Sequence, residues 1–207
     1  MVLVPSRPRS ALTRPAPAVV LVNLGTPTQP SPRAVRTYLR EFLSDRRVIE
    51  THPALWRPVL EGIVLRVRPR RSAEKYASVW TPEGSPLRVH TRAQRDAVAR
   101  TLGDRAVVRY AWRYGTPSVP DVLDELRDAG HDRVLVVPLY PQFSASSAGT
   151  VLDEVFRHGL RSRDQLELRT VRSFPADAGY VEPSPPRSRR AGRSTAARTS
   201  RRGTACC

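Results

Sequence analysis

The 207-residue sequence holds two cysteines, one methionine and, among 35 basic residues, a single lysine, Lys75. Two cysteines cannot staple a disulfide scaffold. They lie side by side as Cys206 and Cys207, with no histidine or further cysteine at metal-ligand spacing, so no function is assigned to them. Long apolar runs are missing too. The longest uncharged stretch, Pro15 to Pro32, contains five prolines and only a short apolar run, Val19 to Val22, which excludes a transmembrane helix there. Arg7, Arg9 and Arg14 precede it without an apolar segment, so a secretory signal is not expected, although an acid-free, Arg-rich start has a faint likeness to a transit peptide. The chain reads as cytoplasmic. What is present is 40% hydrophobic residues, enough for one domain with a real core and too many for a wholly disordered chain.

The formal net charge of +16 raises the question of nucleic acid or an anionic membrane. Its distribution weakens that reading. Residues 183–207 carry seven arginines and no acid, so they supply +7 and leave +9 to residues 1–182. Almost every basic residue is arginine, which fits a bias toward GC-rich codons better than selection for phosphate contacts. No nucleic-acid reader module or aromatic stacking pattern accompanies the arginines. A basic binding protein for nucleic acid or anionic lipid, acting through this tail, is therefore kept as the alternative, with nucleic acid the weaker partner.

From Pro183 onward the sequence uses only Pro, Ser, Arg, Ala, Gly, Thr and Cys and offers nothing to bury. Two readings stay open: a disordered basic tail, or translation out of frame. Residues 1–17 form a Pro/Arg-rich flexible leader, which leaves residues 18–182 as the domain.

Within that domain, Ala18 to Leu24 is almost continuously apolar, as a strand covered on both faces of a parallel sheet would be. Ser31 and Pro32 supply a helix cap and first turn, and Val35, Tyr38, Leu39, Phe42 and Leu43 recur at helical spacing. A second apolar stripe, Leu55, Trp56, Val59, Leu60, Ile63, Val64 and Val67, reads as a helix interrupted by Arg57, Pro58 and Arg66. Another helix is expected around Ser72 to Trp80, and Ser85-Pro86 opens a further one to about Leu102. Val107 to Trp112 then reads as a strand, Ser118-x-x-Asp121 as a capping box, Val119, Val122, Leu123 and Leu126 as a helix face stopped by Gly130, and Val134 to Val137 as a strand. That sequence of elements is a βαβ unit. A helix near Val151 to Phe156, a strand near Leu166 to Val171 and a helix beginning near Asp177 continue the alternation. The expected fold class is α/β with a parallel sheet.

Ligands of such sheets bind beyond the carboxyl ends of the strands. Three loops qualify: Asn23 to Pro27, Arg113 to Pro117, and Pro138 to Ser147. The first lacks both glycine-rich phosphate-binding patterns, which argues against a nucleotide cofactor. The third joins Tyr140, Gln142 and Phe143 to Ser144, Ser146 and Ser147, a composition suited to a large, flat, partly apolar ligand, with a purely structural loop as the alternative.

Five segments, in order, resemble those of one family. Val22-Asn-Leu-Gly-Thr-Pro27, Tyr38-Leu-Arg-Glu-Phe-Leu-Ser-Asp-Arg-Arg-Val48, Lys75-Tyr-Ala-Ser-Val-Trp80, Gly84-Ser-Pro-Leu87 and Pro138-Leu-Tyr-Pro-Gln-Phe-Ser144 are similar to segments of the bacterial ferrochelatases. The resemblance covers about residues 18–182, the N-terminal half of a complete family member. It implies a Rossmann-like chelatase fold, incomplete here, and an enzyme that inserts ferrous iron into protoporphyrin IX to form protohaem in haem biosynthesis. A chelatase of the same fold acting on cobalt or nickel and another tetrapyrrole is the nearest alternative.

The resemblance also implies site residues. Arg113 and Tyr114 match an Arg-Tyr pair near the porphyrin, where an arginine could meet a propionate. Tyr140, Gln142 and Ser144, with Leu24, Thr26 and Pro27 of the first loop, complete the porphyrin-binding candidates; the alternative for Tyr140 is packing against Pro138 and Pro141. The stripe from Leu55 to Val67 would form the lip of the cleft, with peripheral contact to a membrane surface, or else ordinary core. The family's metal-side histidine and its glutamate lie beyond the matching region, so no catalytic residue and no metal ligand is assigned. His52, His90, His131 and His158 read as surface or helix-end residues. Ala145 stands where cluster-bearing relatives have cysteine, so no iron–sulfur cluster is expected, and Fe(II) enters only as substrate. The expected consequence is a chain shortened or frame-shifted after Glu182, with little or no insertion activity.

Overall fold

The computed structural model describes residues 15–182. The leader up to residue 14, the basic tail and the question of its reading frame lie outside the described residues. By its internal contacts the chain divides into residues 1–175 and 176–207. In the first unit four strands, β1 (Ala18–Asn23), β2 (Val107–Trp112), β3 (Arg133–Pro138) and β4 (Glu167–Thr170), form one sheet in the order β2-β1-β3-β4, every pair parallel. The chain leaves β1 toward β2 and returns past β1 to β3. The loops after β1 and β3 therefore diverge from neighbouring strand ends, which makes this the switch point where doubly wound sheets bind ligands. The α/β expectation holds.

Alternation along the strands decides the core. Val20 and Val22 of β1 and Val134 and Val136 of β3 face α5 (Val119–Asp128) and α6 (Thr150–Arg161), whose Val122, Leu123, Leu126, Val151 and Val155 complete one buried cluster. The capping box at the start of α5 is formed in both directions, Ser118 Oγ accepting from the Asp121 N–H and Asp121 accepting from the Ser118 N–H. Gly130 ends that segment at φ +88°.

A second buried cluster belongs to the helices between β1 and β2. α1 (Pro32–Leu43), capped by Ser31, turns Val35, Tyr38, Leu39 and Leu43 toward Leu60, Leu65 and Ala73. The break expected between the apolar stripe and the next helix is absent. α2 (Pro53–Val59), a π-helical turn (Leu60–Val64) and α3 (Leu65–Val79) run on without interruption, with Pro58 and Pro69 inside them. Pro69 and Leu65 are buried, so tertiary packing overrides the local preference of proline to end a helix. The stripe itself is split. Leu60 is buried and Trp56 and Val64 pack against the cluster, whereas Leu55, Val59, Ile63 and Val67 stay exposed. α4 (Pro86–Leu102) lies against β2, and its Thr91 accepts from Asn23 Nδ2 at the end of β1. The third candidate loop is shorter than expected, because Ala145–Gly149 already forms a π-helical turn leading into α6. In the second unit, Asp177 caps the short helix α7 (Ala178–Val181).

Candidate functional site

The exits of β1 and β2 are bound side by side. Arg113 N–H donates to Asn23 O at 2.8 Å and Tyr114 N–H to Leu24 O at 2.9 Å, while Gly25 adopts φ +108° beneath them. This carries Leu24, Thr26 and Pro27 across the switch point. Thr26 is 4% exposed, and its Oγ1 finds no hydrogen-bond partner among the described residues.

Next to them Asp45, in the turn after α1, collects one carboxylate's full complement of donors. Oδ2 accepts from Arg113 Nη2 at 2.6 Å, from the Tyr114 hydroxyl at 2.8 Å and from the Thr150 hydroxyl; Oδ1 accepts the Arg47 N–H at 2.8 Å. Arg113 also donates through Nε to Thr150 Oγ1 and Thr150 O, and its guanidinium lies 4.5 Å from the Tyr114 ring centre. Burial alone would raise the Asp45 carboxyl, but the hydrogen bonds from Thr150, the Arg47 N–H and Tyr114, with the Arg113 charge, together hold it below the ordinary value. Burial pushes the Tyr114 hydroxyl up. Arg47 adds a second tie to α6 through Asp153.

Two grooves flank this cluster. One, of about 600 Å³, runs along α1 from Ser31 and Arg33 past Thr37 and Tyr38 to Glu41, walled by Thr26, Pro27 and Gly115. The other, of about 750 Å³, is lined by Arg113 and the charged residues Asp45, Arg47, Glu50, Asp153 and Arg157, and again by Glu41. Glu41 Oε2 accepts the Gly115 N–H at 3.0 Å. The protein around Glu41 strips water from its carboxyl and raises it, an effect that the Gly115 hydrogen bond and the Arg113 charge oppose and the Glu154 charge reinforces.

The candidates thus separate. Thr26 and Pro27 line the α1 groove and Arg113 the second groove. Leu24 packs on the α1 cluster, and Tyr114, 0% exposed, is a strut that holds Asp45. Tyr140 packs against the sheet core, with its hydroxyl unpartnered among the described residues and raised by burial. Gln142 is exposed, and Ser144 hydrogen-bonds to Ser146 and Ser147 at the start of the π turn. Phe143 is covered by the Arg172 guanidinium at 4.1 Å.

Sequence reasoning missed Asp45, Glu41 and Thr150. Glu41 follows Ala34, Thr37 and Tyr38 at helical spacing, a signal that the neighbouring apolar stripe obscures; nothing in the local sequence marks Asp45 and Thr150, which are 105 residues apart. Among the histidines, His52 caps α2, His131 meets Ala16 O just beyond α5, and His158 stands in the last turn of α6, its side chain 8% exposed and bonded to Asp124. Among the described residues no group of three His, Cys, Asp or Glu side chains could hold a metal, and Ala145 offers no sulfur to a cluster. No helix among them is long and apolar enough to cross a membrane.

A family model described as ferrochelatase matches residues 16–199, a range that extends past Glu182. The chain is 53% identical over 165 residues to a ferrochelatase of Azoarcus sp. (strain BH72), covering 79% of this chain and 46% of that protein. It is 50% identical over 171 residues to one from Chromobacterium violaceum, covering 81% and 47%, and 50% identical over 165 residues to one from Neisseria meningitidis serogroup C, covering 80% and 49%. The chain spans about half the length of these curated relatives.

Proposed function

The chain belongs to the ferrochelatase family, and from that premise we propose that it forms one wall of a tetrapyrrole cleft serving the insertion of ferrous iron into protoporphyrin IX. The observation that carries the reading is the convergence of the ordered segments 22–27, 38–48 and 138–144 on the switch point of one parallel sheet, where the α1 groove opens. Iron insertion must remove two pyrrole protons and accept a metal from a site that releases it. The described residues contribute positioning. The β1 exit and α1 shape the groove, and the Asp45 cluster fixes the β2 exit and α6 relative to α1. Thr26, Pro27 and Arg113 are the candidates that open onto the grooves; Leu24, Tyr114 and Tyr140 support them from behind.

By itself the chain is expected to form little or no protohaem, since the described residues supply no metal-ligating cluster. No iron–sulfur cluster is assigned at Ala145. The exposed apolar residues Leu55, Val59, Ile63 and Val67, beside Arg57 and Arg66, suit peripheral contact with an anionic membrane surface. The test is fluorescence titration of the purified chain with protoporphyrin IX, followed by an insertion assay with ferrous iron under reducing conditions. Saturable porphyrin binding without protohaem formation is expected. No saturable binding would refute the cleft, and measurable protohaem would refute the inactivity.

A further inference from the structure

Glu41 is shared by the two grooves, and the Arg113 charge reaches it without a salt bridge. Its Oε2 has the Gly115 N–H, but among the described residues no arginine forms an ion pair with it. Of the arginines that line the second groove with it, Arg113 is committed to Asp45, Thr150 and Glu154, Arg47 to Asp153 and Arg157 to Glu154. Glu154 adds a second negative charge that acts on Glu41. A carboxylate in this condition accepts N–H donors and repels another carboxylate.

The opposite end of the α1 groove has the opposite polarity. Arg33 stands in the first turn of α1, beside the helix start, and lines the same groove. Thr26 lines the groove as well, with its carbonyl beside Gly115, the residue whose N–H Glu41 accepts. Eight residues of helix separate Arg33 from Glu41, about 12 Å along the axis. An elongated or flat anion in this groove therefore meets positive charge at one end and negative charge at the other.

We propose that Glu41 makes the cleft selective for the number and placement of a porphyrin's carboxylates. It admits a porphyrin edge that carries none and rejects an edge that carries one. A dicarboxylate porphyrin can keep its acidic edge toward Arg33; a tetracarboxylate porphyrin cannot keep every carboxylate away from Glu41. The inference rests on the tetrapyrrole reading above and names a specificity residue within it.

The test uses the full chain and two fluorescent free-base porphyrins, protoporphyrin IX with two carboxylates and coproporphyrin III with four. The native chain is expected to bind the first more tightly. Glu41→Gln keeps an acceptor for the Gly115 N–H and removes the charge, so it should tighten coproporphyrin binding roughly three- to tenfold, the lower end reflecting solvent screening at an open groove, with less than about a twofold change for protoporphyrin. Glu41→Ser removes the same charge with a smaller side chain and should act in the same direction. Glu74→Gln removes an equal charge from the exposed surface of α3 and should leave the ratio of affinities alone. An unchanged ratio in both Glu41 variants, or an equal change in Glu74→Gln, overturns the selectivity while leaving the cleft standing. Absence of binding by either porphyrin to the native chain and all variants overturns the tetrapyrrole reading, and the selectivity with it.

Discussion

Gly25 lies so close to Tyr114 that a β-carbon placed on it would sit 1.9 Å from the Tyr114 carbonyl oxygen. The clash is with backbone that is itself held, since Tyr114 N–H is bonded to Leu24 O and the Tyr114 hydroxyl to Asp45. Gly25 also has φ +108°, which side chains rarely tolerate. Gly25→Ala should therefore cost about 3 kcal/mol or more, combining overlap and backbone strain. Urea denaturation checks this, and a loss under 1 kcal/mol would show that the two strand exits separate easily.

The Asp45 cluster makes stability depend on acid. Its carboxyl is held below the ordinary value in the folded chain, so the unfolded chain binds the proton first as pH falls. The stability it contributes is present above the ordinary carboxylate pKa of about 4 and is lost as pH drops through the lower, folded value. Asp45→Asn removes the nearer carboxylate of buried Arg113, leaving Glu154 at 3.7 Å, and should cost about 3 kcal/mol at pH 7. The gap between native and variant chains should narrow below about pH 4. A gap constant from pH 7 to 3 in denaturant titrations would remove the charge from this account.

Ser118→Ala should cost about 1 kcal/mol through loss of the Ser118 Oγ half of the capping box at α5, the bond from the Ser118 N–H to Asp121 remaining. Ser118→Asp, which restores an acceptor at the cap, should recover most of it. Thermal unfolding of the two variants decides the matter; equal losses in both would mean that the side chain acts by packing.

The exposed apolar row Leu55, Ile63 and Val67, 71%, 62% and 56% exposed, predicts sedimentation of the chain with anionic phospholipid vesicles. Replacing Leu55 and Ile63 with Asp should weaken that association roughly tenfold or more by removing apolar burial. Binding that falls with added salt but ignores the double variant would assign the association to arginines alone.

Elements were legible where a local pattern decides them. Ser31-Pro32, Ser85-Pro86 and Ser118-x-x-Asp121 mark helix starts by backbone chemistry that needs no distant partner, and all three serines cap their helices. The apolar runs at Val19 to Val22 and Val134 to Val137 likewise fall within β1 and β3 of a parallel sheet. The same local logic separated the stripe from the helix expected around Ser72 to Trp80, whereas the two run on through Pro69, whose burial outweighs the disruptive preference of proline.

By itself, then, the sequence determined the α/β class, the helix caps and the family, because each rests on residues close together along the chain. Only the tertiary structure decided the site. It split the Leu55 to Val67 stripe between core and surface, turned Tyr114 inward as a strut, and joined Asp45, Arg113 and Thr150 around one carboxylate. It also left Glu41 without a salt bridge among the described residues where two grooves meet. Charge neutralisation and burial depend on which distant residues arrive at the same place, and that is set by the packing of helices against strands.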